Sequence, residues 1–160
     1  MPTVVYLSLG SNLGDRAANL RSAIGFLPAA KTAVSKVSSF YETEPVDFHE
    51  QPWFLNCVVE GLTELGPHEL LRALLEIESR MGRMREFPKG PRLIDIDILL
   101  YGDIAIGTPD LEIPHPRMLE RKFVLAPLAE IAPSLRYPGW SGAASELLLA
   151  TPDRSEIRKL

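Results

Sequence analysis

The sequence predicts an α+β fold of the ferredoxin-like type, with helices covering one face of an antiparallel or mixed sheet. The first observation is the order of elements, which is strand, helix, strand, strand, helix, strand (βαββαβ), followed by smaller C-terminal elements. The second is the composition: 46% hydrophobic and 24% charged residues in a chain of 160 are ordinary for a globular protein with a full core. We therefore expect residues 1–160 to form a single domain.

The elements of this core follow from local sequence patterns. Strands are expected where β-branched and apolar residues cluster or alternate, and helices where apolar residues recur every three or four positions. Asp15 is a suitable N-cap for the first helix, Pro67 begins the second, and Gly82 ends it. The predicted strands cover residues 3–9, 33–42, 54–62 and 93–101, and the predicted helices cover 15–27 and 67–81.

The remaining segments are expected to be loops and small elements. Residues 43–53 form a long loop with two prolines, a length typical of functional loops. Residues 83–92 form a basic loop that could close over a substrate. A short strand or hairpin is expected within 104–113, and Ala143–Ala150 is predicted to be a terminal helix. The polar tail from Thr151 is expected to be frayed.

A pair of carboxylates lies inside the last predicted strand. Asp95 and Asp97 are two residues apart, so both point to one face, while Ile94, Ile96 and Ile98 point to the other. Two like charges in an apolar strand repel each other and lose hydration, and a divalent cation relieves both problems. Hard oxygen ligands favour Mg²⁺. The alternative is a solvent-facing edge strand with two ordinary surface aspartates.

Cations near this pair favour a polyphosphate bound through the metal. Arginine and lysine side chains hold phosphate oxygens well. The basic residues concentrated before the strand are Arg80, Arg83, Arg85, Lys89 and Arg92.

Composition excludes several classes of protein. A net charge of −4 argues against a general nucleic-acid binder. The only cysteine, Cys57, rules out an intrachain disulfide and a cysteine metal cluster, and is expected to be a small core residue. Because no apolar run approaches 18 residues and no signal segment is present, we expect a cytoplasmic protein without a membrane partner.

Three further features carry open alternatives. The Gly10-Ser11-Asn12 turn after the first strand could bind phosphate or could simply be a turn. Asn56 is a polar residue in an apolar strand, and either bonds to a neighbouring loop or recognises a heterocycle. His115 lies between two prolines in a rigid segment, and Arg117 and Arg121 would share a face if they lie on one helix.

Two competing functions remain from residues alone. A nucleotidyltransferase also pairs Gly-Ser with Asp-x-Asp, but Ser11 and Asp95 are separated here by most of the chain. A ferredoxin-like binding or regulatory domain is the non-enzymatic alternative, and it does not need a carboxylate pair among arginines.

The chain resembles the 6-hydroxymethyl-7,8-dihydropterin pyrophosphokinases of folate biosynthesis nearly from end to end. The Gly-Pro-Arg and Asp-x-Asp stretch, followed by Pro-His-Pro, is highly specific for that family. In place of the aromatic residue that is common before Gly-Pro-Arg, this chain has Lys89, with Phe87 nearby, and Leu93 stands where threonine is frequent. The matching segments are 6–14, 38–45, 51–56, 78–83, 90–101 and 113–118.

The resemblance implies transfer of pyrophosphate from ATP to the hydroxymethyl group of the pterin, with AMP as the other product. It implies two Mg²⁺ ions held by Asp95 and Asp97. We expect a monomer, and we expect Arg83 and Arg92 to stabilise the transition state, as cations do in phosphoryl transfer generally. The implied nucleotide-binding residues are Glu78, Arg83, Arg85, Arg92, Ile98, His115 and Arg121. The implied pterin-binding residues are Gly10, Ser11, Thr43, Pro45, Val46, Phe54, Asn56 and Phe123.

Overall fold

A computed structural model describes residues 1–44, 52–82 and 93–160. Its strands are β1 (Thr3–Ser11), β2 (Thr32–Val37), β3 (Tyr41–Thr43), β4 (Phe54–Thr63), β5 (Asp95–Tyr101), β6 (Ile106–Thr108), β7 (Leu111–Ile113) and β8 (Ile157–Lys159). Its α-helices are α1 (Arg16–Phe26), α2 (Pro67–Arg80), α3 (Lys122–Ile131) and α4 (Ala144–Ala150). Short 3₁₀ turns cover Pro28–Ala30 and Met118–Glu120.

Six of the described strands form an antiparallel sheet with β1 and β4 at its centre. The order β5-β1-β4-β3-β8 runs along one path, and β2 also pairs with β4. Without β3 and β8, the order is β5-β1-β4-β2, which is the ferredoxin-like arrangement of a split βαββαβ unit. The predicted fold class is therefore confirmed, and the sheet is antiparallel.

The sheet carries helices on both faces, whereas the sequence predicted them on one. The face of α1 and α2 buries Leu7, Leu20 and Leu74 in the larger core. On the opposite face, α3 packs over Tyr6, Val58 and Leu100. The prediction did not include α3 as a helix. None of the helices over residues 1–44, 52–82 and 93–160 is long and apolar enough to cross a membrane.

Local signals placed the ends of α1 and α2 correctly. The Asp15 side chain accepts a hydrogen bond from the Ala18 N–H at 3.1 Å, which caps α1. Pro67 begins α2, and Gly82 follows it with φ of +77°, a conformation that glycine adopts without strain. The predicted hairpin within 104–113 is the β6–β7 pair.

Three strand predictions were wrong in their bounds. The predicted strand 33–42 is two strands, because residues between β2 and β3 leave the ladder: Ser39 bonds to Glu130 of α3 at 3.0 Å through its N–H. Strand β1 continues through Gly10 and Ser11, where the prediction placed a turn, because both residues pair with β4. Strand β5 begins at Asp95 rather than at residue 93.

The tail from Thr151, expected to be frayed, ends in a paired strand. Strand β3 would otherwise be a sheet edge, and β8 pairs with all three of its residues. The Leu160 N–H continues this contact by donating to the Phe40 carbonyl at 2.9 Å. Because the paired residues are far apart in sequence, local patterns do not predict this pairing.

The one cysteine is expected to be chemically inert in the folded protein. Cys57 is fully buried in the larger core, and burial raises the pKa of its thiol to about 12. At pH 8 its thiolate is then ~10³-fold scarcer than for a free cysteine with a pKa near ~8.5, so alkylation slows in proportion. Iodoacetamide labelling followed by mass spectrometry checks this. Denatured protein, labelled in parallel, should react fully, and rapid labelling of the native protein would contradict the prediction.

Candidate active site

The site is arranged in rows across one face of the sheet. Asp95 of β5 pairs with Gly10 of β1, and Gly10 pairs on its other side with Asn56 of β4. In the adjacent row, Asp97 pairs with Ser8. Residues that pair directly across antiparallel strands project to the same face. With neighbouring strands ~4.8 Å apart, Asp95 and Asn56 are therefore separated by about 10 Å across the sheet.

The carboxylate pair has the donor chemistry that Mg²⁺ requires. Asp95 and Asp97 are half-buried, while Ile94, Ile96 and Ile98 are buried in the core on the opposite face, as the sequence predicted. Within the described residues, no group of three or more His, Cys, Asp or Glu side chains could enclose a metal. A pair of hard carboxylate ligands suits Mg²⁺, which keeps water and phosphate oxygens as its other ligands.

Two predicted nucleotide residues have their side chains on the core face of β5. The Glu78 carboxylate, 2% exposed, accepts a hydrogen bond from the Ile96 N–H at 2.7 Å. Ile96 lies between the two aspartates, so this bond fixes the backbone that carries them. Ile98 is 5% exposed and its side chain packs in the core. Contact between Ile98 and a nucleotide would therefore involve its backbone.

His115 lies beside the carboxylate pair as a neutral imidazole. Its backbone N–H donates to the Leu99 carbonyl of β5 at 3.0 Å. Burial is the main influence that lowers the pKa of His115; Arg121 and Arg117 lower it further, and Asp95 opposes them. Because Nδ1 accepts from the Arg117 N–H at 3.2 Å, the ring proton is on Nε2, which is therefore a hydrogen-bond donor.

The two arginines after His115 do not share a helix. Arg117 precedes the 3₁₀ turn Met118–Glu120, and Arg121 caps the N-terminus of α3, so the conditional prediction of a common helical face does not apply. The Arg121 guanidinium lies over the Phe123 ring, 5.5 Å from its centroid. This stacking joins a predicted nucleotide residue to a predicted pterin residue.

Asn56 is the buried polar centre of the other half of the site. It is 4% exposed, and its Nδ2 donates to the Thr43 hydroxyl at 2.6 Å. Phe54 lies two residues before Asn56 in β4, on the same face of the sheet, and pairs with Thr43. A half-buried aromatic ring beside a fixed amide is a suitable surface for a flat heterocycle with polar edges.

Gly10 is required because Asn56 lies directly over it. A Cβ at position 10 would be 2.6 Å from Asn56 Oδ1, closer than real contacts allow. We expect Gly10→Ala to displace the amide and destabilise the protein by about 1–3 kcal/mol, since overpacking of a filled site costs that much.

In an Asn56→Ala background, the same Gly10→Ala change should cost much less, because the obstructing amide is gone. Thermal unfolding of the four members of this double-mutant cycle measures the coupling. Additive effects would show that the close approach is not what requires glycine.

The Ser11 side chain does not reach the site face. Ser11 is fully buried, its position in β1 directs it toward α1, and its hydroxyl accepts from Asn19 Nδ2 at 3.2 Å. Asn19 also donates to the Leu13 carbonyl at 2.8 Å. Ser11 therefore supports the turn after β1 through its side chain, and only its backbone faces the site end.

Sequence reasoning missed the residues that support the site from behind. Asn19, Arg16 and Glu42 stand among ordinary polar positions, and only the tertiary contacts distinguish them. The predicted residues Pro45, Val46, Arg83, Arg85 and Arg92, together with Phe87 and Lys89, lie outside the described part of the chain.

Comparison with known proteins identifies related sequences over most of the chain. Residues 6–133 match the family model of 7,8-dihydro-6-hydroxymethylpterin-pyrophosphokinase. A 2-amino-4-hydroxy-6-hydroxymethyldihydropteridine pyrophosphokinase of Bacillus subtilis is 52% identical over 132 residues, covering 82% of this chain and 79% of the relative. One of Methylorubrum extorquens is 48% identical over 134 residues, covering 83% and 85%.

Longer relatives and solved structures extend the comparison. A folic acid synthesis protein of Dictyostelium discoideum is 41% identical and aligns with 98% of this chain, which spans 24% of that protein. A crystal structure of an HPPK-DHPS in complex with substrates superposes with a TM-score of 0.76 over 94% of this chain and 43% of that chain. At 15% identity, this last likeness shows the fold alone.

Proposed function

This chain belongs to the 7,8-dihydro-6-hydroxymethylpterin-pyrophosphokinase family, and from that premise we propose how its residues transfer pyrophosphate from ATP to the hydroxymethyl group of the dihydropterin. The activity is that of an ATP-dependent diphosphokinase of folate biosynthesis. The hydroxyl oxygen attacks the β-phosphorus of ATP, the bond from that phosphorus to the AMP oxygen breaks, and the hydroxyl proton passes to solvent.

The observation that carries this proposal is the row that joins Asn56 to Asp95 through Gly10. A pterin held by the Asn56 amide would direct its hydroxymethyl group across Gly10 toward the carboxylates. Since Gly10 has no side chain, nothing from β1 obstructs that path. This arrangement would bring both substrates to one sheet face, which supports the proposal because it favours near-attack geometry.

Asp95 and Asp97 are proposed to hold two Mg²⁺ ions against the ATP phosphates. Bound there, the ions would neutralise charge on the phosphates and lower the pKa of the acceptor hydroxyl. The chain's own contribution is to keep both carboxylates on one face, which β5 and the Glu78–Ile96 bond achieve. Asp103, exposed in the turn after β5, does not face this site and provides an internal comparison.

The nucleotide is proposed to lie on the side of β5 where His115 and Arg121 meet. A neutral His115 with Nε2–H can donate to a phosphate or ribose oxygen, and Arg121 supplies positive charge. Arg83, Arg85 and Arg92 complete this proposal as phosphate ligands, with Arg83 and Arg92 stabilising the transition state.

The pterin is proposed to bind between Phe54 and Phe123 with its polar edge on Asn56. Thr43 orients the amide through the 2.6 Å hydrogen bond, so the Asn56 oxygen and its second N–H remain directed to the ligand. Pro45 and Val46 are proposed to line the same pocket, and Gly10 and Ser11 to approach the ligand through their backbone.

The nucleotide product tests the reaction directly. Protein incubated with ATP, Mg²⁺ and 6-hydroxymethyl-7,8-dihydropterin should form AMP, and only when the pterin is present. Formation of ADP would mean ordinary phosphoryl transfer and would contradict the proposal. Pyrophosphate release with a nucleotidylated acceptor would instead favour a nucleotidyltransferase.

We further propose that residues 1–160 act as one domain and as a monomer in the cytoplasm, without nucleic-acid or membrane partners. Sedimentation equilibrium and limited proteolysis test the first two statements, and cell fractionation tests the third. The metal stoichiometry is tested by titrating Mn²⁺ into protein with a non-hydrolysable ATP analogue, where two equivalents are expected. A single equivalent would remove the second ion from the mechanism.

A further inference from the structure

We propose that the C-terminal strand β8 positions the dihydropterin half of the site, mainly through the contacts of Arg158 with Trp53 and Glu42. This inference rests on the proposed function and extends it to the end of the chain. The family-model match ends at residue 133, so this tail lies outside it. Arg158 does not face the substrate, and it is therefore a positioning residue rather than a catalytic one.

Strand β8 completes the backbone pairing of β3. Tyr41 pairs with Lys159, Glu42 with Arg158 and Thr43 with Ile157. Just beyond this ladder, the Glu156 N–H donates to the Glu44 carboxylate at 2.8 Å. Thr43 is the residue that holds the Asn56 amide, so its strand is fixed on one side by β4 and on the other by β8.

The Arg158 side chain reaches from β8 to the start of β4. Its guanidinium lies over the Trp53 ring, 4.7 Å from the centroid, and one of its nitrogens is 3.7 Å from the Glu42 carboxylate. Glu156 contributes a further ion pair at 2.8 Å. Tryptophan is the aromatic ring that binds cations best, and a planar guanidinium can stack on it.

Arg16 of α1 closes the network from the other direction. It pairs with Glu42 at 2.7 Å and donates to the Trp53 carbonyl at 2.9 Å. Glu42 therefore accepts a hydrogen bond from Arg16 and forms a longer ion pair with Arg158, and Trp53 is held through its carbonyl and its ring. The network joins α1, β3, the start of β4 and β8.

This network lies directly behind the proposed pterin residues. Glu42 is next to Thr43 in the chain, and Trp53 is next to Phe54. Because neighbouring side chains in an extended segment point to opposite faces, Glu42 and Trp53 lie on the face opposite to Thr43 and Phe54. Fixing Glu42 and Trp53 from the α1 face thereby fixes the backbone that presents Thr43, Phe54 and Asn56 to the ligand. The carboxylates on β5 are at the opposite end of the row and do not depend on this contact.

The test separates dihydropterin binding from ATP binding and from turnover. Replacing Arg158 with Met removes the charge and the planar stack but keeps an unbranched chain. We expect the KM for dihydropterin to rise about two- to fivefold, the effect of losing one exposed cation–π contact, with kcat and the KM for ATP nearly unchanged. Deleting residues 155–160 should raise it further, and Arg158→Lys should restore part of the loss.

Arg136→Met is the matched control. It makes the same chemical change in an exposed ion pair with Glu146 of α4, and should leave all three constants unchanged. In a Trp140→Phe background, Trp53 is the remaining tryptophan. Acrylamide should quench its fluorescence more strongly when Arg158→Met is added, because the ring is then more exposed. Equal increases in both KM values, a fall in kcat alone, or unchanged constants in the truncated protein would each overturn the inference.

Calorimetric dissociation constants for dihydropterin distinguish this inference from the proposed function. Suppose that the wild type binds the pterin but forms no AMP. Weaker pterin binding by Arg158→Met than by the wild type would then support the strand's role while refuting the reaction. Normal AMP formation with equal pterin affinity in all variants would leave the reaction standing and refute the strand's role.

Discussion

Replacing Asp95 or Asp97 with asparagine is expected to lower kcat by at least about 10³-fold. The change keeps the size of the side chain but removes the negative charge that holds the metal. Metal ions supply several kcal/mol of transition-state stabilisation, and each 1.4 kcal/mol corresponds to a tenfold change in rate. Steady-state AMP formation at saturating substrates, measured over a range of Mg²⁺ concentrations, checks this result.

Asp103→Asn is the control for this pair. Asp103 is exposed in the turn that follows β5, so the same substitution there should leave kcat within about twofold. Unfolding midpoints of all three variants should stay close to that of the wild type, because both site aspartates are only half-buried. Near-normal turnover in both site variants would exclude the carboxylate pair as the metal site.

Replacing Asn56 with alanine is expected to lower kcat/KM for dihydropterin by about 10²- to 10⁴-fold and to leave the KM for ATP unchanged. The amide is buried, and its loss leaves the polar edge of the bound ring and the Thr43 hydroxyl without their partner. Each buried polar group left unpaired costs about 1–3 kcal/mol. Initial rates with each substrate varied in turn measure both constants.

Thr43→Val separates ligand recognition from support of the strand. It removes the same 2.6 Å hydrogen bond but leaves the Asn56 amide in place. We expect its kcat/KM to fall no more than about tenfold. If Thr43→Val were as damaging as Asn56→Ala, then orientation of the amide by Thr43 would matter as much for pterin affinity as the amide itself.

Local sequence patterns predicted the core of the fold because they reflect local physics. Alternation placed Ile94, Ile96 and Ile98 in the core and Asp95 and Asp97 on the opposite face. Capping chemistry placed the start of α1 at Asp15, and Gly82 ended α2. These features depend on a few consecutive residues, so no tertiary contact was needed to recognise them.

The predictions failed where a residue's conformation depends on a distant partner. Ser11 looked like part of a turn, yet β1 continues through it because Leu55 of β4 lies opposite. The tail looked frayed because it is polar and terminal, yet it pairs with β3. The Ser11 side chain bonds to Asn19 behind the sheet, a contact that local sequence did not indicate, and substrate binding through the Ser11 backbone stays a prediction.

The amino-acid sequence alone predicted the fold class, the carboxylate pair and, through resemblance, the family and its reaction. These follow from periodicity and from motifs that are contiguous in the chain. The folded structure was needed to show that Asn56, Gly10 and Asp95 form one row. It also shows that Glu78 supports the backbone between the aspartates and that the Arg158 guanidinium lies over Trp53. Pairing across the sheet sets which distant residues are neighbours, and a slip of one residue in register would move each of these side chains to the other face.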